Sequence, residues 1–182
     1  QLLITQYAIT KLPAVLLSSD ITYYSDFFSV LEQQALGSLE SDGTWVLRNP
    51  FPLYFDLAQG KLRGTVQVSG LTDANCPSCF DVNELSDSLV LYFGLKPSAS
   101  VTLDVSSAAG KALVQKYSIV NIPTVLVSCD VSAYQGLSEN WNQRGFIAGD
   151  GTLVFSRHDL LPSTLNYVDL NSNTVKAGES EP

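Results

Sequence analysis

The spacing of apolar residues changes along the chain, and each change predicts an element. Over residues 64–69, Val66 and Val68 alternate with polar neighbours, the period of a strand buried on one face, and turn-forming residues 70–75 follow. Phe80, Val82, Leu85, Leu89, Tyr92 and Phe93 then recur three and four apart, which predicts a helix. Pro77 suits its first turn, and Gly94 with Pro97 stops it. Residues 100–104 read as a second strand. Ser106 or Ser107 caps a second helix that buries Leu113, Val114 and Tyr117 and ends before Pro123. Residues 124–128 have the β-branched, apolar character of a fully buried strand. Residues 132–144 read as a short helix around Leu137 and Trp141, and after the Asp150-Gly151 turn residues 152–156 form the last strand. The order β-α-β-α-β-(α)-β predicts an α/β sandwich.

The second half of that pattern occurs twice. At an offset of 110 (117 less 7), Tyr7 matches Tyr117, Ile9 Ile119, Pro13 Pro123, Val15 Val125, Leu16 Leu126, Ser18 Ser128, Asp20 Asp130 and Tyr24 Tyr134. After two residues drop out, Gly37 matches Gly145, Asp42-Gly43-Thr44 matches Asp150-Gly151-Thr152, and Val46 matches Val154. Further on, Tyr54-Phe55-Asp56-Leu57 recurs as Tyr167-Val168-Asp169-Leu170. A repeat of this length is that of a domain rather than a solenoid unit. The chain is therefore expected to hold a partial module over residues 1–61 and a complete one over 62–182, which ends in a short polar tail. The partial module is equivalent to a second half only: a helix end at 1–7, strands at 13–19 and 43–48, and an inserted helix at 24–36. A two-stranded remnant with Phe27, Phe28, Leu31 and Trp45 to bury is marginal alone. It should pack on the complete module, pair with another chain, or belong to a longer protein, so self-association is one partner the truncation suggests. The repeated tyrosines are read as core packing.

Charge narrows the partners. With 18 acidic against 10 basic residues and a net charge of -8, no basic run is present to neutralise phosphates, which disfavours nucleic acid, anionic lipid and acidic substrates. The longest apolar runs, residues 88–95 and 119–128, are shorter than the ~20 residues of a membrane helix, so no span is expected in this chain. Residues 1–10 lack the pattern of an export signal, so any such signal or anchor is expected to have been removed or to lie outside this chain.

Three cysteines and one histidine remain as candidate chemistry. The odd count is not a disulfide framework, a two-cysteine, two-histidine zinc site lacks ligands, and Phe80 after Cys79 rules out haem attachment. No metal or cofactor is expected. In Cys76-Pro77-Ser78-Cys79, a CxxC after a strand and at a helix start puts the first sulfur over unpaired N–H groups, which favours its thiolate. Nearby Asp73, Asp81, Glu84 and Asp87 oppose that effect. The spacing suits attack by Cys76 on a disulfide, followed by attack of Cys79 on the mixed disulfide.

Strand, CxxC, strand, helix, and then Ile122-Pro123-Thr124 opening a third strand resemble the thioredoxin-like superfamily, with 44 residues (123 less 79) from Cys79 to Pro123. The resemblance covers residues 62–156 and, through the repeat, 1–48. It implies a thioredoxin-like α/β sandwich, one complete module plus the C-terminal half of a second. It also implies a cis Pro123 beside the CxxC, a backbone contact from Ile122 to a substrate strand, and a second cis bond at Pro13. The function it implies is thiol–disulfide oxidoreductase, acting on a thiol- or disulfide-bearing protein, with Cys76 and Cys79 catalytic and Ile122 and Pro123 binding the substrate. Three features depart from thioredoxin itself: Asn75 stands in place of its Trp, Gly70 in place of its buried acid, and a helix is inserted between the last two strands. The Pro-Ser dipeptide is more similar to glutaredoxin and the bacterial disulfide oxidoreductases.

Plainer readings stand beside this one. The tandem modules are alternatively a non-catalytic scaffold or self-assembling protein, and two thiolates suit a soft metal such as Cu(I) or Zn. Cys129 lies six residues past Pro123, roughly 20 Å along a strand, and is read as a buried structural thiol. His158 has no recognisable partner in the sequence and is read as surface or structural. Few Lys and Arg, many Ser, Thr, Asn and Gln, and a disulfide-handling motif point to an extracytoplasmic setting.

Overall fold

A computed structural model describes residues 2–181, which divide into two units, one ending at Gly64 and the other beginning at Thr65. Both mix helices and strands. The first unit runs α1 (Leu2–Gln6), β1 (Lys11–Leu12), β2 (Leu16–Leu17), α2 (Ser25–Gln33), β3 (Gly37–Leu39), β4 (Trp45–Leu47), β5 (Tyr54–Asp56) and β6 (Lys61–Arg63). The second continues with β7 (Val66–Thr72), α3 (Val82–Tyr92), β8 (Pro97–Asp104), α4 (Ala108–Tyr117), β9 (Asn121–Ile122), β10 (Thr124–Cys129), α5 (Leu137–Trp141), β11 (Gly145–Ile147), β12 (Leu153–Phe155), β13 (Asn166–Asp169) and β14 (Thr174–Ala177). The divide falls at Gly64 because β6 completes a hairpin with β5.

In the second unit a five-stranded sheet has the order β11-β12-β10-β7-β8, with β7 and β8 parallel and the other pairs antiparallel. Period-two alternation gives the sheet two apolar faces. Val66, Val68, Val125, Val127, Leu153 and Phe155 pack with Phe80, Val82 and Leu89 of the α3 region and with Leu137 and Trp141 of α5. Leu71, Leu126 and Val154 pack on the other side with Ile119, Leu113, Val114 and Tyr117 at the α4 end. The expected strands and both longer helices form. Ser107 caps α4, its hydroxyl accepting from the Gly110 N–H.

Two features differ from the sequence reading. The predicted helix after the cysteines begins only at Val82, because the Asp81 carboxylate caps it through the Asn83 N–H. Cys76 to Cys79 therefore form a turn outside the helix. Residues 152–156 are also not the last strand, since β13 and β14 follow as a hairpin and β13 also pairs with β9.

The first unit is more than a two-stranded remnant. It holds a β2-β4-β3 sheet and a separate β1-β5-β6 sheet, with α1 and α2 beside them. Of the helix end read at residues 1–7, Gln1 lies outside the described residues. The repeat reappears as geometry. In one unit the Tyr7 hydroxyl donates to Asp42 (2.9 Å) and lies 3.3 Å from the Thr44 hydroxyl; in the other, Tyr117 donates to Asp150 (2.9 Å) and lies 3.1 Å from Thr152. Both half-buried tyrosines hold the Asp-Gly-Thr turns, and Tyr117 also packs on the α4-side cluster; of the other repeated pair, Tyr134 is buried in the core while Tyr24 is exposed. Gly37 and Gly145 recur for one reason. A Cβ at either would stand 2.2 Å or 1.9 Å from a carbonyl oxygen of the neighbouring strand.

Candidate functional site

The turn before the cysteines is built by carboxylates. Asp73 accepts the Asn75 N–H at 2.9 Å, and Asp104 at the end of β8 accepts the Ala74 N–H at 2.7 Å and the Ser106 N–H at 2.8 Å. Its bonds to Ser106 and Ala74 hold the Asp104 carboxyl below the usual carboxylate range. Beyond this turn the sulfurs of Cys76 and Cys79 are joined as a disulfide, and the Cys79 N–H bonds the Cys76 carbonyl at 3.1 Å. Cys76 is 8% exposed and Cys79 half-buried, while Pro77 and Ser78 face solvent.

Of the residues singled out in the sequence, Cys76, Cys79 and Ile122 share one apolar cluster. Leu12-Pro13 and Ile122-Pro123 are both cis. Ile122 is fully buried in the apolar cluster that contains Cys76 and packs against Cys79, together with Leu71 and Val168. The backbone of Ile122 is already paired, because β13 lies antiparallel to β9 with Val168 opposite Ile122 and Asp169 opposite Asn121. At its other end the same strand meets the cysteine turn. Asn166 bridges Cys79, its carbonyl accepts the Phe80 N–H at 3.0 Å, and its amide donates to the Ser78 carbonyl at 3.3 Å. The sequence reading noted the Tyr167-Val168-Asp169-Leu170 repeat without assigning it to the site.

His158 is a second residue the reading did not place there. It is buried, and its Nε2–H donates to the Pro123 carbonyl at 2.7 Å, an acceptor-only partner that fixes the proton on that nitrogen. The rings of Phe80, Phe155 and Tyr167 surround it, with centroids 6.4, 5.2 and 4.9 Å away. Burial pulls its pKa below the ordinary 6.5, against the opposing pull of its bond to the Pro123 carbonyl and of Asp159. The unfolded chain therefore takes up a proton as pH falls through about 6.5 while the folded chain stays neutral. Folding stability should drop over that window with a slope of at most about 1.4 kcal/mol per pH unit, levelling off below the folded pKa. Urea midpoints measured between about pH 7.5 and 5 should show the slope in the native chain and lose it in His158→Gln. The carboxylates Asp104, Asp150 and Asp169, held below their usual range, act separately, in a window that opens only as pH falls below about 3.8.

Cys129 stands apart at the end of β10. It is a half-buried free thiol packed against the α3 and α5 face, and desolvation first, then Asp130, pushes its pKa up to about 11. It is a poor nucleophile at neutral pH. Among the described residues no group of three His, Cys, Asp or Glu side chains converges to hold a metal, and no helix is long and apolar enough to cross a membrane. Set against known proteins, the chain matches no family model, no curated protein and no solved structure.

Proposed function

We propose that the second unit is a thioredoxin-like module, that the first repeats its C-terminal half, and that the protein is a thiol–disulfide oxidoreductase working through Cys76 and Cys79. One observation carries the reading: the Cys76–Cys79 bond shares an apolar cluster with the segment leading into cis Pro123, contributed from far along the chain. Cys76 acts as the attacking sulfur and Cys79 resolves the mixed disulfide, so a substrate disulfide leaves as two thiols while the intramolecular bond forms. Substrates are disulfides of proteins or small thiols, and the setting is extracytoplasmic, where such bonds persist. Equilibrating the chain with a series of glutathione redox mixtures tests this. A reversible two-electron titration of the Cys76/Cys79 pair, with about 29.6 mV per tenfold change, is expected. A bond that never exchanges overturns the reading.

A non-catalytic, self-associating scaffold is the second reading. It is favoured by apolar side chains left exposed in the first unit, among them Phe27 at 53% and Val30 at 51% on α2. Soft-metal binding has only the two thiolates to offer.

A further inference from the structure

The geometry points to a redox pair reserved for low-molecular-weight disulfides, because the chain's own β13 fills the slot an extended polypeptide substrate would need. This rests on the oxidoreductase reading and narrows its substrate class.

On the thioredoxin-like reading, a polypeptide disulfide would bind by adding its backbone as a strand beside Ile122. Here the backbone of Ile122 is matched to Val168 and that of Asn121 to Asp169, and the Leu170 N–H reaches the Val120 carbonyl at 2.7 Å. At the cysteine end Asn166 takes the Phe80 N–H and reaches Ser78. One strand thus spans from the cysteine turn to the segment before Pro123. It is held from behind as well. All four of its residues pair with β14, Lys176 donates to the Asp169 carboxylate at 2.6 Å, and the Gly178 N–H bonds the Leu165 carbonyl at 3.0 Å. Tyr167 and Val168 are both buried, Tyr167 against His158.

The repeat decides whether this strand is a lid or a fixture. In the first unit β5 pairs with β1 in the same way, Phe55 opposite Leu12 and Asp56 opposite Lys11, and the Leu57 N–H reaches the Thr10 carbonyl at 2.9 Å. The same pairing built in both units marks the covering strand as a standing part of the architecture, and it excludes polypeptides instead of opening for them on demand. A small disulfide asks for no backbone pairing and approaches through the exposed Pro77-Ser78 side of the turn. Each turnover breaks its S–S bond, forms the Cys76–Cys79 bond, and passes two electrons and two protons to two leaving thiols.

The test compares the reduced full chain against glutathione disulfide and against a disulfide-linked dimer of an extended peptide, both followed by mass spectrometry. If the strand is displaced in 0.1–10% of molecules, the peptide should react about 10- to 1,000-fold more slowly than glutathione disulfide. Lys176→Pro removes the ion pair to Asp169 and interrupts β14, so it should narrow that gap. Hydrogen exchange at the Leu170 amide gives a reading independent of any variant's folding, and protection there is expected. Equal rates for the two disulfides in the native chain, or an unprotected Leu170 amide, overturn the proposal. Failure to react with either disulfide instead overturns the oxidoreductase reading on which it rests.

Discussion

Replacing Trp141 with alanine should destabilise the second unit by about 3–5 kcal/mol, the range for removing a large aromatic from a core that cannot collapse around the space. Trp141 is completely buried, its ring centroid lies 5.3 Å from that of Phe93, and it shares a cluster with Leu89, Leu137, Val125 and Phe155. It ties α5 to α3 across one face of the sheet. Trp141→Phe should cost far less, for two reasons. It keeps most of the apolar volume, and it removes an indole N–H that has no acceptor among the described residues, a group whose burial costs about 1–3 kcal/mol. Urea denaturation followed by far-UV circular dichroism measures both. A phenylalanine variant as unstable as the alanine one would show that the indole nitrogen is bonded after all. Phe27 on α2, being largely exposed, should tolerate alanine with little loss.

The apolar period made β7, α3, α4 and β10 legible, because each carries its own alternation or three-and-four spacing and buries it against the sheet. The repeat made one finer feature legible: a cis Pro123 carries over to Pro13, and both bonds are cis. The matching bonds of Tyr7 to Asp42 and of Tyr117 to Asp150, each beside a threonine hydroxyl, lie outside a reading of these tyrosines as core packing. What periodicity cannot supply is a partner. Residues 166–169 carry the chemistry of a short strand, but nothing in them names Ile122, far back in the chain, as the residue opposite, and so the site's most consequential neighbour went unassigned. The same blindness misplaced the cysteines. Pro77 is compatible with a first helical turn, yet the Phe80 N–H is taken by Asn166 and the helix waits for its cap at Asp81. With the CxxC three residues short of that helix, the helix-end stabilisation expected for the Cys76 thiolate is weakened. His158 was equally illegible, since its role lies in one bond to a carbonyl of a distant proline.

Serine in place of either cysteine should reduce reversible disulfide exchange to the uncatalysed rate, because the intramolecular bond that takes up the electrons can no longer form. The two variants should differ in what they accumulate. Cys79→Ser leaves an attacking sulfur without its resolving partner, so incubation with glutathione disulfide should trap a mixed disulfide on Cys76, visible as an added glutathione by mass spectrometry. Cys76→Ser should trap little. Cys129 should contribute no fast reaction in either, because its raised pKa leaves almost no thiolate at neutral pH. The outcome weighs chemistry against packing, for Cys76 is the more deeply buried of the pair and lies in the cluster with Ile122 and Val168. An adduct that forms on Cys79 in Cys76→Ser, and not on Cys76 in Cys79→Ser, would reverse the two roles and show that access past β13 governs which sulfur reacts. An adduct on neither would leave the bond as a fixed clasp on the turn that seats Asn166.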